Sequence, residues 1–481
     1  MSYLGLDLGT SGLRALLIDG EGRPLGAAER AFAVSNPHPG WSEQDPAAWV
    51  MALEEAVAEL GTRFPLSDLK GIGVAGHMHG ATLLDDQGAV IRPCILWNDT
   101  RSHAEAAVLD AMPQVRDLSG NIVFPGFTAP KLAWVRAHEP ENFARVTKVL
   151  LPAAYMNFFL TGDHVADMSD SAGTSWLDVG ARDWSEVLLK AGHMRRDQMP
   201  RLVEGSEKAG VLRPELAAKW GLPEGVTVAG GAGDNAAAAC GIGALGEGQG
   251  FVSLGTSGVL LAARDGYRPA AATALHTFCH AVPGQWYQMG VMLSATDSLN
   301  WLAQITGRSP AALTADLGAL QAPGPVRFLP YLSGERTPHN DAAIRGCFTG
   351  LSRSTGVAEM TRAVLEGVAF GLRDTAEALR GTGADLSALF AIGGGAASRH
   401  WVEMIATVLG VPMLMPEGRE FGAALGAARL GLCAATRADP AAVMTPPAVA
   451  ETVAPVAALK PAFDAGYEKF RAAYPAIREV Q

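Results

Sequence analysis

The pentapeptide LGTSG occurs twice, at residues 8–12 and at residues 254–258. The copies lie 246 residues apart (254 minus 8) in a chain of 481. Each sits between apolar runs, in YLGLDLGTSGLRALLID from Tyr3 and in FVSLGTSGVLLAA from Phe251. The pattern predicts a strand, a Gly-rich turn and a second strand in both places. Chance is a poor explanation for a five-residue match in the same setting half a chain away. The chain therefore reads as two related domains, each opening with a hairpin. Glycines at such a tip let backbone N–H groups approach an anion, and Thr and Ser hydroxyls add donors, so the tips suit phosphate. The copies differ in one respect. Asp7 precedes the first and Ser253 the second, so only the first carries a carboxylate.

Length alone allows about two to four domains. The boundary is expected in GEGQG near residues 246–250. That gives a first domain at 1–246, a second at 247–440, and a connector with a last helix at 441–481. Hydrophobic residues at 48% and charged residues at 18% describe a globular chain with a large interior. A net charge of −11 without a Lys/Arg run argues against nucleic acid or an anionic membrane as partner. The five cysteines are scattered and never form CxxC, which suits buried thiols in a reducing cytoplasm. The N-terminus lacks a basic region, Asp7 interrupts its apolar run, and no apolar stretch reaches the roughly 18 residues of a membrane helix.

Along the chain, three meander strands are expected over residues 3–35. A helix is expected over 41–60, with Asp45 as N-cap and Pro46 in its first turn. KGIGVAGHMHGATLL at 70–84 reads as strand, Gly-lined loop and strand. VTVAGGAGDNAAAACGIGALG at 226–246 reads as strand, Gly turn and small-residue helix. A long helix is expected over 357–380 from the spacing of Met360, Val364, Val368 and Leu372. AIGGGAASRHWVEMIATVLGVPM at 391–413 reads as strand, Gly turn and helix with Ser398 as N-cap. Residues 440–460, rich in Ala, Pro and Val, read as an exposed connector.

Several residues carry candidate chemistry. Asp7, at a strand end beside a phosphate-type turn, is either an ordinary turn residue or the carboxylate that holds Mg²⁺, often through water. Asp234 follows a glycine run and opens a helix. It is either an N-cap or a general base that the helix N-terminus keeps ionised, with the small residues around it leaving room for substrate. On a strand, His77 and His79 would share a face. They are open to a zinc reading, which lacks a third and fourth ligand, and to sugar hydrogen bonding. His276 and His280 fall in an apolar strand and read as core. The GxGxxG at 241–246 ends a helix instead of joining a strand to one, so it fails as a dinucleotide fingerprint. Gly393 to Gly395 precede a helix and would let a nucleotide lie against backbone.

DLGTSG, GDN at 233–235, the second LGTSG, GFTAPKLAW at 126–134 and GGGAAS at 393–398 together resemble the FGGY carbohydrate kinases, relatives of actin and the heat-shock chaperone ATPases. The resemblance runs from about residue 3 to residue 435. Within the family, GHMHGATLLD, ILWNDTR, HTFCHAVPGQWYQMGVMLSA and YLSGERTPHND are similar to members that phosphorylate xylulose. Glycerol-phosphorylating members carry Arg-Glu in place of Met78 and His79, and His77 stands where Gln is common. The resemblance implies an α/β fold of two ribonuclease H-like, actin-like ATPase domains around a catalytic cleft. It implies ATP-dependent phosphorylation of the 5-hydroxyl of D-xylulose in D-xylose catabolism, with ATP and Mg²⁺ as cofactors. It implies Asp234 as proton acceptor and Met78, His79, Asp234 and Asn235 at the sugar. Asp7 would be the metal-associated catalytic carboxylate. Thr10, Ser11 and Thr256 would lie at the phosphates, and Gly394 and Gly395 at the nucleoside. The expected partners are the sugar and ATP in the cytoplasm, with a homodimer left open. Two rivals stay open: a kinase of the same family acting on another ketopentose, a polyol or gluconate, and a non-catalytic ATP-binding regulator of the actin-like fold.

Overall fold

The duplicated hairpins head two seven-stranded sheets of matching order. The structure is a computed structural model that describes residues 1–315, 317–418 and 421–481. In the first half, β1 (Ser2–Leu8), β2 (Gly12–Asp19) and β3 (Pro24–Ala31) form the expected meander. Helix α1 (Pro46–Arg63) follows. It starts later than residue 41, because Glu43 and Gln44 pair as a short strand with Cys94 and Ile95. Asp45 is its N-cap, accepting the Ala47 N–H at 2.9 Å. Then come β4 (Leu69–Gly76), the single-turn α2 (Met168–Ser171), β5 (Lys208–Val211), β6 (Thr227–Ala229), β7 (Ala232–Gly233) and α3 (Asp234–Ile242).

The second half repeats the plan with β8 (Gly250–Leu254), β9 (Gly258–Arg264), β10 (His276–Cys279) and β11 (Trp286–Met292). Helices α4 (Thr296–Thr306) and α5 (Val357–Gly381) follow, then β12 (Leu389–Ile392), α6 (Arg399–Leu409), β13 (Met413–Pro416) and α7 (Ala423–Thr436). The stretch expected to be a bare connector contains β14 (Val449–Val453), which pairs antiparallel with β13 before α8 (Lys460–Val480). It is an exposed edge strand held by backbone hydrogen bonds, so no apolar alternation marks it in the sequence.

The first sheet runs β5-β6-β4-β1-β2-β3, with β7 also on β4, and the second runs β10-β11-β9-β8-β12-β13-β14. In each, the hairpin's first strand is parallel to a later strand, β1 to β4 and β8 to β12. Carboxyl ends of parallel strands therefore gather beside each hairpin tip, where open α/β sheets bind ligands.

The halves cross through two helices of small residues. A Cβ on Gly5 would lie 2.0 Å from the Ala424 carbonyl, and one on Gly73 would lie 1.9 Å from that of Ala427. Only glycines in β1 and β4 let α7 lie this close to the first sheet. A Cβ on Gly426 would come within 1.8 Å of the Ala237 carbonyl, and one on Gly241 within 2.4 Å of that of Gly422. Gly241, the first glycine of GxGxxG, thus serves helix contact. The small residues of α3 at Ala237 and Gly241 thus lie directly against α7.

Candidate functional site

Register brings the two carboxylates together. Asp7 in β1 lies opposite Ala75 of β4, and Gly76 of β4 lies opposite Gly233 of β7. Asp234 follows Gly233, so Asp7 and Asp234 emerge from parallel strands on either side of β4. Gly233 is the N-cap and Asp234 the first helical residue, so Asp234 is not the cap. Its Oδ1 instead accepts the backbone N–H of Asn235 at 2.7 Å and the Asn235 side-chain amide at 2.8 Å. Burial pushes the Asp234 carboxyl up to about 6, against the lowering effect of those two donors. Desolvation outweighs those two donors. Asp7 is pushed up to about 7 by burial and by the negative charge of Asp234, with Arg14 opposing. A group ionising near neutrality can take a proton from an alcohol and release it again.

The hairpin tips are held differently. At the first, the Thr10 carbonyl accepts the Gln44 side-chain amide at 2.6 Å, and its hydroxyl accepts the Trp97 indole N–H at 2.9 Å. The Thr10 hydroxyl proton therefore stays available as a donor. Ser11 is exposed beside it and, with Asp7, Gly9 and Arg14, lines a cleft of about 450 Å³. At the second, the Thr256 carbonyl accepts the Ala295 N–H at 2.8 Å, and Gly255 accepts the Thr296 N–H at 3.0 Å. That tip is locked to the start of α4. Thr256 itself is exposed.

Met78 and His79 lie in the turn after β4, and Met78 packs against Gly233, the residue before Asp234. The turn breaks the expected strand alternation, so the two histidines do not share a face. His77 is buried against Trp49 with both ring nitrogens unpartnered. His79 is left-handed at φ 71°. Its ring stacks on Phe127 at 4.4 Å, and its Nδ1 lies 2.7 Å from the Gly173 carbonyl. Burial holds both imidazoles down to about 3, hence neutral. Among the described residues, no three His, Cys, Asp or Glu side chains cluster as a metal-ligand set. His276 and His280 are buried in or just beyond β10, as expected of core residues. His276 also lies 3.2 Å from the Asn121 side-chain oxygen.

Gly394 and Gly395 line a cleft of about 500 Å³ with Thr296, Asn300, Ser398 and Trp401. Gly393, at φ 86°, would place a Cβ 2.8 Å from the Leu254 carbonyl, so this turn abuts the second hairpin. Ser398 caps α6 as expected, accepting the Trp401 N–H.

The model of the FGGY family of carbohydrate kinases, N-terminal domain, matches residues 2–241, and that of its C-terminal domain matches residues 250–435. The chain belongs to the FGGY family of carbohydrate kinases. Among FGGY relatives, the xylulose kinase of Escherichia coli (strain K12) is 49% identical over 436 residues, 90% of each chain. A xyloylose kinase from Brucella ovis has a crystal structure at TM-score 0.99 and 57% identity, covering 100% of both chains. The xylulose kinase of Rhodospirillum rubrum matches at TM-score 0.92 and 30% identity, covering 100% of this chain and 99% of that one.

The structure of this FGGY kinase also shows residues that sequence reasoning did not single out. Lys131, fully buried, donates to the carbonyls of His79 and Gly126 at 2.7 Å each. It thereby holds His79 in its left-handed turn, and burial pushes its ammonium down to about 7. Phe127, Thr128 and Lys131 all belong to GFTAPKLAW, so the motif was visible while its task was not. Asn121 grips the edge of the second sheet, donating to the Thr277 carbonyl at 2.9 Å and accepting its N–H at 3.1 Å. No local pattern announces contacts between residues 156 apart in sequence.

Proposed function

We propose that this chain is an ATP-dependent xylulose kinase that converts D-xylulose and ATP to D-xylulose 5-phosphate and ADP. The observation that carries the proposal is Asp234 at the start of α3, near neutrality, one strand away from the Asp7 hairpin. Asp234 takes the proton of the 5-hydroxyl while that oxygen bonds the γ-phosphorus and the bridging oxygen leaves with ADP. Phosphoryl transfer has a loose transition state, so positioning and charge neutralisation do most of the work. Thr10 and Ser11 serve the transferring phosphate, Thr256 the remaining phosphates, and Gly394 and Gly395 the nucleoside. Met78, His79 and Asn235 surround the sugar.

Asp7 and Asp234 raise the negative potential at the first tip, which suits a hard divalent cation completed by water and phosphate oxygens. Asp7 would hold Mg²⁺ there, and the ion would neutralise polyphosphate charge. On this reading the enzyme works in the cytoplasm, where all five of its thiols stay free. Among the described residues no helix is long and apolar enough to cross a membrane.

The test is a panel of D-xylulose, ribulose, gluconate and glycerol, with coupled ADP detection, on wild type and Asp234→Ala. Turnover is expected to be strongest on D-xylulose and abolished by the substitution, with nucleotide binding kept. Stronger turnover on another acceptor would overturn the substrate, and near wild-type turnover in the variant would overturn the base.

A further inference from the structure

The turn that carries Asp234 is held from behind by a buried chain of hydrogen bonds. Asp167 and Ser169 lie in ADMSDS around α2, at 2% and 0% exposure. Asp167 is the N-cap of α2, and its Oδ1 accepts the N–H of Ser169 at 2.7 Å and of Asp170 at 3.0 Å. The same oxygen accepts the Ser169 hydroxyl at 2.5 Å. A serine hydroxyl has one proton, and here it is committed to Asp167. The lone pairs must then face away, and one of them receives the Gly233 N–H at 3.1 Å. Gly233 is the cap residue before Asp234. On its other side a Cβ would lie 2.8 Å from Met78 Cγ, so Gly233 is clamped between the sugar turn and Ser169.

We propose that Asp167 and Ser169 are positioning residues for phosphoryl transfer, aiming Asp234 by fixing the peptide that precedes it. The proposal rests on Asp234 being the proton acceptor. Asp167 fixes the rotation of the Ser169 hydroxyl, and the hydroxyl fixes the Gly233 peptide. Without the hydroxyl, a buried carboxylate oxygen loses a donor, the Gly233 N–H loses its acceptor, and the base can drift. Displacement of a reacting group by about 1 Å costs on the order of 100-fold in rate.

The experiment compares Ser169→Ala, Ser169→Thr, Ser169→Cys, Asp167→Asn and the Asp167→Asn/Ser169→Ala pair with wild type and Asp234→Ala. It measures kcat, KM for sugar and ATP, and thermal unfolding on the full chain. Ser169→Ala is expected to lower kcat roughly 10- to 100-fold with KM for ATP unchanged. Ser169→Thr, which keeps the hydroxyl, restores most of the rate, and Ser169→Cys, a weaker donor, falls between. The pair is expected to match Ser169→Ala alone, since the chain is already cut. A wild-type kcat in Ser169→Ala overturns the proposal, as does a loss that multiplies in the pair. Should Ser169→Ala not fold, wild-type kcat in Ser169→Cys overturns it equally. An active Asp234→Ala would instead sink the base assignment, whereas an inactive Asp234→Ala beside an unimpaired Ser169→Ala sinks only the positioning role.

Discussion

The Tyr287 hydroxyl lies 3.7 Å from the Met78 thioether sulfur, joining a strand of the second sheet to the turn that flanks Asp234. Tyr287 is fully buried, and its phenol is pushed up by burial and by Asp234. A thioether is a weak acceptor, so the contact steers Met78 more than it stabilises the fold.

Tyr287→Phe is therefore expected to change stability by no more than about 1 kcal/mol. It should raise KM for the sugar by roughly 3- to 10-fold, about 0.7 to 1.4 kcal/mol, while KM for ATP stays put. Steady-state kinetics with each substrate varied in turn, beside a thermal melt, check both halves. An unchanged sugar KM would show that Tyr287 has no bearing on the sugar turn.

With Asp234 as the proposed base, the acid limb of activity follows from its carboxyl. Only its carboxylate form accepts the alcohol proton, and burial pushes the group up to about 6. The value of kcat/KM for the sugar should fall as pH drops through about 6, approaching tenfold per pH unit below it. A profile flat down to pH 5 would remove Asp234 from the role of base.

The cleft proposed for the nucleoside offers a paired test. A Cβ on Gly394 meets nothing within 4 Å, whereas one on Gly395 would lie 2.8 Å from Leu254 Cβ and 2.9 Å from Thr296 Cγ2. Gly394→Ala should keep the stability of the wild type and raise KM for ATP, because its methyl enters the cleft. Gly395→Ala should cost about 1–3 kcal/mol through overpacking. Nucleotide titration and denaturant melts on both variants distinguish them, and an unaltered ATP affinity in Gly394→Ala would place the nucleoside elsewhere.

His77 makes acid stability measurable. Burial holds its imidazole down to about 3, far below the ordinary value, so the folded state binds its proton later than the unfolded chain. Its contribution is fully present above about pH 6.5 and is lost as pH falls from there toward 3, at up to about 1.4 kcal/mol per pH unit. His77→Gln removes the titrating group, so its stability should decline less steeply than the wild type over that window. Denaturant melts from pH 7 to 4 provide the comparison, and parallel pH dependences would mean that His77 is not buried and neutral. Buried Asp7 and Glu335 are pushed up instead, so they favour the folded state as pH falls in wild type and variant alike and cancel in the comparison.

Much of the site was legible because its signals are local. Asp7, Asp234 and the glycines at 393–395 each sit where a strand meets a turn, and such junctions leave composition marks. His77 and His79 were misplaced because alternation was carried past the end of β4 into a turn. Tyr287, Asn121, Lys131 and Ser169 were missed because each acts on a partner far along the chain. Lys131 and His79 lie 52 residues apart, and Ser169 and Gly233 lie 64 apart.

The sequence by itself determined that this chain has two related halves, each with a phosphate-type hairpin, and that only the first brings a carboxylate. Tertiary structure decided what the identical pentapeptides do. The first closes with Leu8 opposite Leu13, and the second with Leu254 opposite Gly258, a register shorter by one residue. Side chains of Gln44 and Trp97 hold the first tip, while the start of α4 holds the second through the Ala295 and Thr296 N–H groups and the Thr296 hydroxyl. Local sequence sets which turns are accessible, but pairing register and tip anchoring are fixed by whatever packs against them. That is why one motif, written twice, makes two unequal jaws.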